Sequence, residues 1–144
     1  AQVQPESPGG AAVRDMLIAA AQAQSGEEGA AAETLGRVAT QGDLPEIYRQ
    51  IATFKALLLQ SDTMPATDRR QQFEALAQPG APLRLLAQEQ LALIEIEEGS
   101  PEAAIGRLQG ILQDAEASVD LQQRASQLIV ALGGTPEPAP GQQG

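Results

Sequence analysis

Three glutamates in the middle of the chain form its densest group of residues that could do acid–base chemistry. Glu95 and Glu98 are three positions apart, which puts both carboxylates on one face of a helix. Such a pair can act as general acid and base or hold a cation. No glycine-containing calcium loop accompanies them, and Glu97 adds a third acid at a helix end where the macrodipole opposes negative charge. We therefore predict that Arg107 on the following helix compensates the negative charge of these glutamates. The alternative is that they form a catalytic or cation-binding site.

Other residue types that catalysis needs are missing or isolated. The chain has no histidine and no cysteine, which excludes imidazole catalysis, thiolate nucleophiles and the usual zinc sites. Lys55 is the sole lysine, and nothing near it in the sequence supports a pairing with Ser61 or another serine. The paired glycines fall near the chain ends rather than between a strand and a helix, so no phosphate loop is indicated. We predict a protein that is not an enzyme and has no metal or cofactor.

Composition favours an all-helical protein with protein partners. Of the 144 residues, 42% are hydrophobic and only Tyr48, Phe54 and Phe73 are aromatic, so Ala, Leu, Ile and Val must build the core. Ala and Leu favour helices, whereas the residues that favour strands are scarce. The net charge of −10 repels nucleic acid and anionic lipid. No apolar run approaches the roughly 20 residues that span a bilayer, so any membrane contact would require an anchor outside this sequence.

Helical periodicity and turn residues divide the middle of the chain into seven segments. Asp43 and Glu46 have the spacing of a capping box. Ser100 before a proline, Thr67, and either Ser118 or Asp120 are further candidate caps. The predicted helices cover residues 11–25, 27–40, 44–60, 67–78, 82–98, 101–115 and 120–132.

The two ends of the chain have a different composition. Residues 1–10 and 133–144 are rich in Pro, Gly and Gln and nearly free of large apolar side chains. Segments of this kind bury too little surface to offset their ordering entropy. We predict a disordered linker over 1–10, a folded repeat domain over 11–132 and a disordered tail over 133–144.

An internal repeat is the most informative feature of the sequence. Leu35, Phe73 and Leu108 are separated by 38 and 35 residues, and each is followed three positions later by an apolar residue. Arg49 and Arg84 in the preceding helices are also 35 apart. A helix pair of this length cannot bury its apolar face alone. We therefore predict an all-α, right-handed superhelix of about three helix pairs closed by a C-terminal capping helix.

Several positions resemble a tetratricopeptide repeat. Leu91-Ala92, Gly99, Ala104 and Leu108 fall at its signature positions, whereas the middle unit has Leu57 where a small residue is expected. The phrases LPEIYR (44–49), LAQPGAP (76–82) and LQQRA (121–125) resemble the divergent tetratricopeptide-like domain of bacterial inner-membrane proteins. That resemblance implies a membrane helix before Ala1 and a location on the periplasmic side of the inner membrane. It also implies partners among Sec translocon subunits, periplasmic chaperones and exported clients.

The resemblance further implies a concave groove lined by the first helix of each pair. Its expected occupant is an extended or helical segment of another protein. We therefore expect a scaffold that assists the Sec translocon or chaperone-linked envelope biogenesis. The alternative is a structural repeat subunit that homo-oligomerises in an envelope or cytoplasmic assembly. The predicted groove residues are Met16, Ala20, Ile51, Phe54, Leu58, Leu86, Glu89, Leu93, Ile96 and Glu97. The alternative for each of these positions is packing on the next helix.

Overall fold

The computed structural model describes residues 7–139, and all regular secondary structure in that range is helical. The predicted all-α class is confirmed, and each predicted helix is present with its ends shifted by at most three residues. The helices are α1 (Pro8–Gln24), α2 (Glu28–Ala39), α3 (Glu46–Leu59), α4 (Ala66–Leu76), α5 (Arg84–Glu97), α6 (Pro101–Gln113) and α7 (Val119–Ala131).

These helices form two compact units, which meet in sequence between Pro65 and Ala66. In the first unit, α2 packs against both α1 and α3. In the second unit, each helix from α4 to α7 packs against the next. The boundary falls in the long turn before α4, where Pro65 cannot continue a helix.

The core of each unit is built from small and aliphatic side chains. Fully buried alanines such as Ala12 and Ala104 allow neighbouring helix backbones to approach closely. The buried cluster of the first unit comprises Ala12, Ala19, Ala31, Leu35, Val38, Leu44 and Ala52. A cluster in the second unit comprises Ala92, Ala104, Leu108, Ile111, Leu112, Leu121, Ala125 and Ile129.

Serine side chains cap two of the helices. The Ser118 hydroxyl accepts a hydrogen bond from the Leu121 N–H at 3.2 Å, so Ser118 rather than Asp120 caps α7. The Ser7 hydroxyl accepts from the Gly10 N–H at 3.1 Å, and Pro8 supplies the fixed φ that suits a first turn. Helix α1 therefore begins inside the segment predicted as a disordered linker, of which residues 1–6 lie outside the described range.

Other predicted caps are not formed. The capping box of Asp43 and Glu46 was wrong, because Pro45 occupies the N-cap position of α3 and no side chain caps it. The Glu46 carboxylate instead accepts a hydrogen bond from the Gln50 amide one turn later. Thr67 lies inside α4 rather than before it. Ser100 does precede α6, but its side chain makes no capping hydrogen bond, and Pro101 begins the helix.

Three helices end with the same hydrogen-bond pattern. At the ends of α1, α5 and α7 a glycine with positive φ follows the cap residue, at Gly26, Gly99 and Gly133. The next N–H then returns to a carbonyl five residues earlier, at 2.8 to 2.9 Å. Glycine is needed here because a side chain disfavours the left-handed backbone.

The repeat predicted from spacing corresponds to buried positions. Leu35, Phe73 and Leu108 are each no more than 2% exposed. The residues four positions before and three positions after each of them are also buried. Two of those earlier residues are alanines, while the third is Arg69 on α4. The spacing therefore marks the buried face of α2, α4 and α6.

The segment after α7 contacts α6. Residues 133–139 contain no regular secondary structure, yet the Glu137 backbone is hydrogen bonded to two glutamines of α6. The rest of the predicted tail, residues 140–144, lies outside the described range.

Candidate protein-binding site

An apolar groove runs between α1 and α3 of the first unit. Both helices pack on α2, and buried Leu35 from α2 also lines the groove. Its volume is about 200 Å³. We call it the α1–α3 groove, and its lining residues are Met16, Ala19, Ala20, Ala23, Leu35, Lys55, Leu58 and Leu59.

Three of the predicted groove residues meet in the α1–α3 groove. Met16 and Ala20 are one turn apart on α1, and Leu58 comes from α3. Leu58 remains 42% exposed although it is a large apolar side chain. Ala20 is exposed beside it, whereas Met16 is half-buried against the core of this unit.

Lys55 was not among the predicted groove residues, yet it lines the α1–α3 groove one turn before Leu58. It is exposed, and it forms no ion pair with any described residue. No carboxylate from residues 7–139 lines this groove. The sequence did carry a signal, since Lys55 is the sole lysine and lies three positions before Leu58 on the same helix.

The other two predicted groove residues of the first unit, Ile51 and Phe54, lie on α3 outside the lining of this groove. Both are half-buried.

The remaining five predicted groove residues belong to the second unit. Glu89 and Leu93 of α5 line a cavity together with Arg124 of α7. Leu86 lines a different cavity, beside Ser118 at the start of α7. Ile96 is half-buried against the core of this unit. The last residue, Glu97, is exposed at the end of α5.

The acids of α5 are paired with arginines of the same unit. Arg124 donates from Nε and Nη2 to the two Glu89 oxygens at 2.8 and 3.0 Å. This hydrogen bond raises the pKa of Arg124 above its ordinary value. Arg69 donates from one nitrogen to both Glu97 oxygens at 2.8 Å. Glu89 and Glu97 therefore hold helices of their own unit together, which leaves their charges already compensated.

The predicted pairing of Glu95 with Arg107 is present. Arg107 donates from Nε and Nη2 to Glu95 Oε1 at 3.0 and 2.7 Å, and from Nη1 to the Gln88 amide oxygen. Arg70 lies 3.9 Å from the same Glu95 oxygen and pairs with Glu98. The hydrogen bond to Glu98 raises the pKa of Arg70.

Arg84 links the start of α5 to the turn after α6. It donates to Asp114 Oδ2 at 2.9 Å and to Glu116 Oε2 at 2.8 Å. The hydrogen bond from Arg84 and a second one from the Glu116 N–H lower the pKa of Asp114 below its ordinary value of 3.8. All five arginines of the second unit thus make ion pairs with carboxylates of that unit.

Comparison with protein-family models, with curated proteins and with solved structures found no match. None of the helices in residues 7–139 is long and apolar enough to cross a membrane.

Proposed function

We propose that the chain is a non-enzymatic scaffold that binds a segment of another protein in the α1–α3 groove. The observation that carries this proposal is an open apolar groove with exposed Leu58 and with Lys55, which pairs with no carboxylate among residues 7–139. At about 200 Å³ the groove is smaller than the roughly 300–1,000 Å³ of most small-molecule sites. A groove of this size fits one or two anchoring side chains of a protein segment.

Charge complementarity specifies the partner segment further. Among the residues that the structure describes, the groove presents apolar surface and one lysine, and none of its lining side chains is a carboxylate. The matching ligand is a helical or extended segment with an apolar anchor and an acidic residue near it. Glu89 and Glu97 of the second unit offer little net negative charge to a basic client, because Arg124 and Arg69 already neutralise them.

The repeat supports the architecture that such a scaffold requires. Helices α1, α5 and α7 end in the same glycine motif, and α2, α4 and α6 bury residues at equivalent positions. These features favour recurring helix pairs: the first helices α1 and α5 end alike, although α3 ends at Leu59 without a glycine, and each second helix buries the same face. The finer arrangement that we propose is a right-handed superhelix of about three tetratricopeptide-like pairs, with α7 as the capping helix.

The narrower form of the proposal places the scaffold on the periplasmic side of a bacterial inner membrane. Its partners there would be Sec translocon subunits, periplasmic chaperones or exported clients. The three phrases at 44–49, 76–82 and 121–125 support this form through their resemblance to the inner-membrane family.

Site-specific photo-crosslinking in the natural full-length protein tests both forms. A photoreactive residue replaces Ala20, which is exposed in the groove. The control replaces Val119, a 78% exposed residue on α7 in the second unit. We expect an adduct from position 20 that is absent at position 119 and is lost when Leu58→Asp is added. Identification of the adduct as a Sec subunit, a periplasmic chaperone or an exported protein supports the narrower form.

Two results would count against the proposal. The same adducts from both positions would show that capture does not depend on the groove. An adduct formed only with a second copy of this chain would favour the homo-oligomeric assembly instead. In that case light scattering on the purified protein should show a stable dimer that Leu58→Asp dissociates.

A further inference from the structure

The segment that follows α7 is held on α6 through the backbone of one residue. Gln109 Oε1 accepts a hydrogen bond from the Glu137 N–H at 3.1 Å, and Gln109 Nε2 donates to the Glu137 carbonyl oxygen at 2.5 Å. Gln113, one turn later, donates its Nε2 to the same carbonyl at 2.7 Å. The Gln109 amide therefore pairs with both polar backbone groups of Glu137, as a neighbouring β-strand would.

Apolar contact accompanies these hydrogen bonds. A Cβ placed on Gly134 would lie 2.9 Å from Ile129 Cγ2 and 3.3 Å from Ile105 Cδ1. The backbone at Gly134 is therefore pressed against two isoleucines, one from α7 and one from α6. Along the segment, Gly134 and Pro136 are half-buried, whereas Thr135 and Glu137 are exposed. This alternation is that of an extended peptide with one face on the protein.

The sequence of the segment explains why its backbone can be recognised in this way. Pro136 and Pro138 flank Glu137. Each proline fixes its own φ and restricts the residue before it to extended conformations, so Thr135 and Glu137 are extended before binding. The prolines carry no N–H that would need a partner, and a preformed extended segment loses little entropy when it docks.

We propose that Gln109, Gln113, Ile105 and Ile129 form a binding site for extended proline-containing peptides, and that residues 134–138 are its intramolecular ligand. The matching segment of a partner protein, with one residue between two prolines, competes for the same site. The site recognises the backbone of the middle residue and not its side chain, since the Glu137 carboxylate forms no ion pair among residues 7–139. This site lies in the second unit and does not depend on the α1–α3 groove.

Competition by a labelled peptide tests this assignment in the full chain. The peptide carries the sequence of residues 133–139, and fluorescence anisotropy measures its binding to wild type and to the double variant Pro136→Gly/Pro138→Gly. Glycines loosen the intramolecular ligand and open the site. We expect the double variant to bind the peptide at least about tenfold more tightly than wild type. Adding Gln109→Ala to the double variant should weaken binding about tenfold or more, because two of three hydrogen bonds are lost.

Matched controls separate recognition from a general loss of structure. Gln90→Ala in the double variant should leave peptide binding unchanged. Gln90 lines the cavity that contains Glu89 and Arg124 and contributes no hydrogen bond to Glu137. A peptide with alanine for the glutamate should bind equally well, whereas one with glycines for both prolines should bind more weakly. The assignment is overturned if the double variant binds no better than wild type, or if Gln90→Ala weakens binding as much as Gln109→Ala.

Hydrogen exchange gives a second readout without added peptide. The Glu137 amide should be protected in wild type and should lose most of its protection in Gln109→Ala, while amides in the middle of α6 keep theirs. Equal protection of the Glu137 amide in both proteins would contradict recognition by Gln109.

Discussion

At the scale of single residues, the second unit is distinguished by arginines that reach carboxylates far away in sequence. Glu95 illustrates the consequence, since its side chain is 8% exposed and an isolated charge there would be strongly disfavoured. Arg107, 27% exposed, compensates it from the adjacent helix. The acids of α5 therefore contribute to packing within the unit.

A double-mutant cycle on Glu95 and Arg107 should reveal a clear coupling. We expect Glu95→Ala and Arg107→Ala to couple by about 1–3 kcal/mol in the free energy of unfolding, because the pair is mostly shielded from water. The control is Glu33 with Arg37, whose side chains are 78% and 61% exposed and 3.8 Å apart. That pair should couple by less than about 0.5 kcal/mol. Equal coupling in both pairs, measured by urea unfolding, would contradict this interpretation.

Asp114 should make the stability of the protein sensitive to acid. Its pKa in the folded chain is lowered by the Arg84 hydrogen bond, so the unfolded chain binds a proton more readily than the folded chain. The stabilisation is therefore fully present above about pH 4 and is lost as the pH falls through the folded pKa. We expect the stability difference between wild type and Asp114→Asn to be largest near pH 6 and to shrink towards pH 2.

Urea unfolding across this pH range measures the effect of Asp114. Asp62→Asn serves as control, because Asp62 is exposed in the turn after α3 and has no ion pair among the described residues. The difference in free energy of unfolding between Asp62→Asn and wild type should not shrink between about pH 6 and pH 2 as that of Asp114→Asn does. A pH-independent difference for Asp114→Asn would show that the pair with Arg84 does not stabilise the fold.

At the scale of elements, a glycine with positive φ sets the turn between α1 and α2 and the turn between α5 and α6. Gly99 has φ of +79° between α5 and α6. Gly99→Ala should lower the free energy of unfolding by about 1–2 kcal/mol, because a side chain is strained in the left-handed region. Gly106→Ala, in the middle of α6 with open space around its Cα, should raise it by about 0.5–1 kcal/mol.

Thermal or urea unfolding of these two variants distinguishes turn geometry from helix propensity. A stabilising effect of Gly99→Ala would mean that the turn adopts another conformation in solution. Destabilisation by Gly106→Ala would instead reveal a close neighbour of α6.

The positions of the helices could be predicted from the sequence, while several of their caps could not. Local signals such as Pro101 and Gly99 depend only on neighbouring residues, so they predict boundaries well. Asp43 had the correct spacing for a capping box, but Pro45 occupies the cap position and α3 begins after it. The chain before α1 was assigned to a linker on composition, and a single Ser7–Pro8 cap was enough to extend the helix.

At the scale of the whole molecule, the repeat predicted which residues are buried but not which charges are paired. Leu35, Phe73 and Leu108 recur at nearly constant spacing because equivalent helices bury equivalent faces. The pairing of Arg124 with Glu89 joins residues 35 apart and depends on how α5 and α7 each pack on α6. Lys55 was not predicted as a groove residue for a related reason. The α1–α3 groove forms because α1 and α3 both pack on α2, and the sequence does not show this packing.

The affinity of a crosslinked partner for purified variants tests the central claim most directly. Leu58→Asp places a charge in the α1–α3 groove, and Lys55→Glu reverses the charge of the lysine that lines it. Val119→Asp is the matched control, because Val119 is more exposed than Leu58 but lies in the second unit. Far-ultraviolet circular dichroism should first show that each variant unfolds at the wild-type temperature. The measurement itself is isothermal titration calorimetry with the partner segment.

We expect Leu58→Asp to weaken binding at least about tenfold. Lys55→Glu should weaken it most at low salt, where charges are least screened. Val119→Asp should bind as wild type does. Equal binding by all four proteins, or equal weakening by Leu58→Asp and Val119→Asp, would contradict a partner site in the α1–α3 groove.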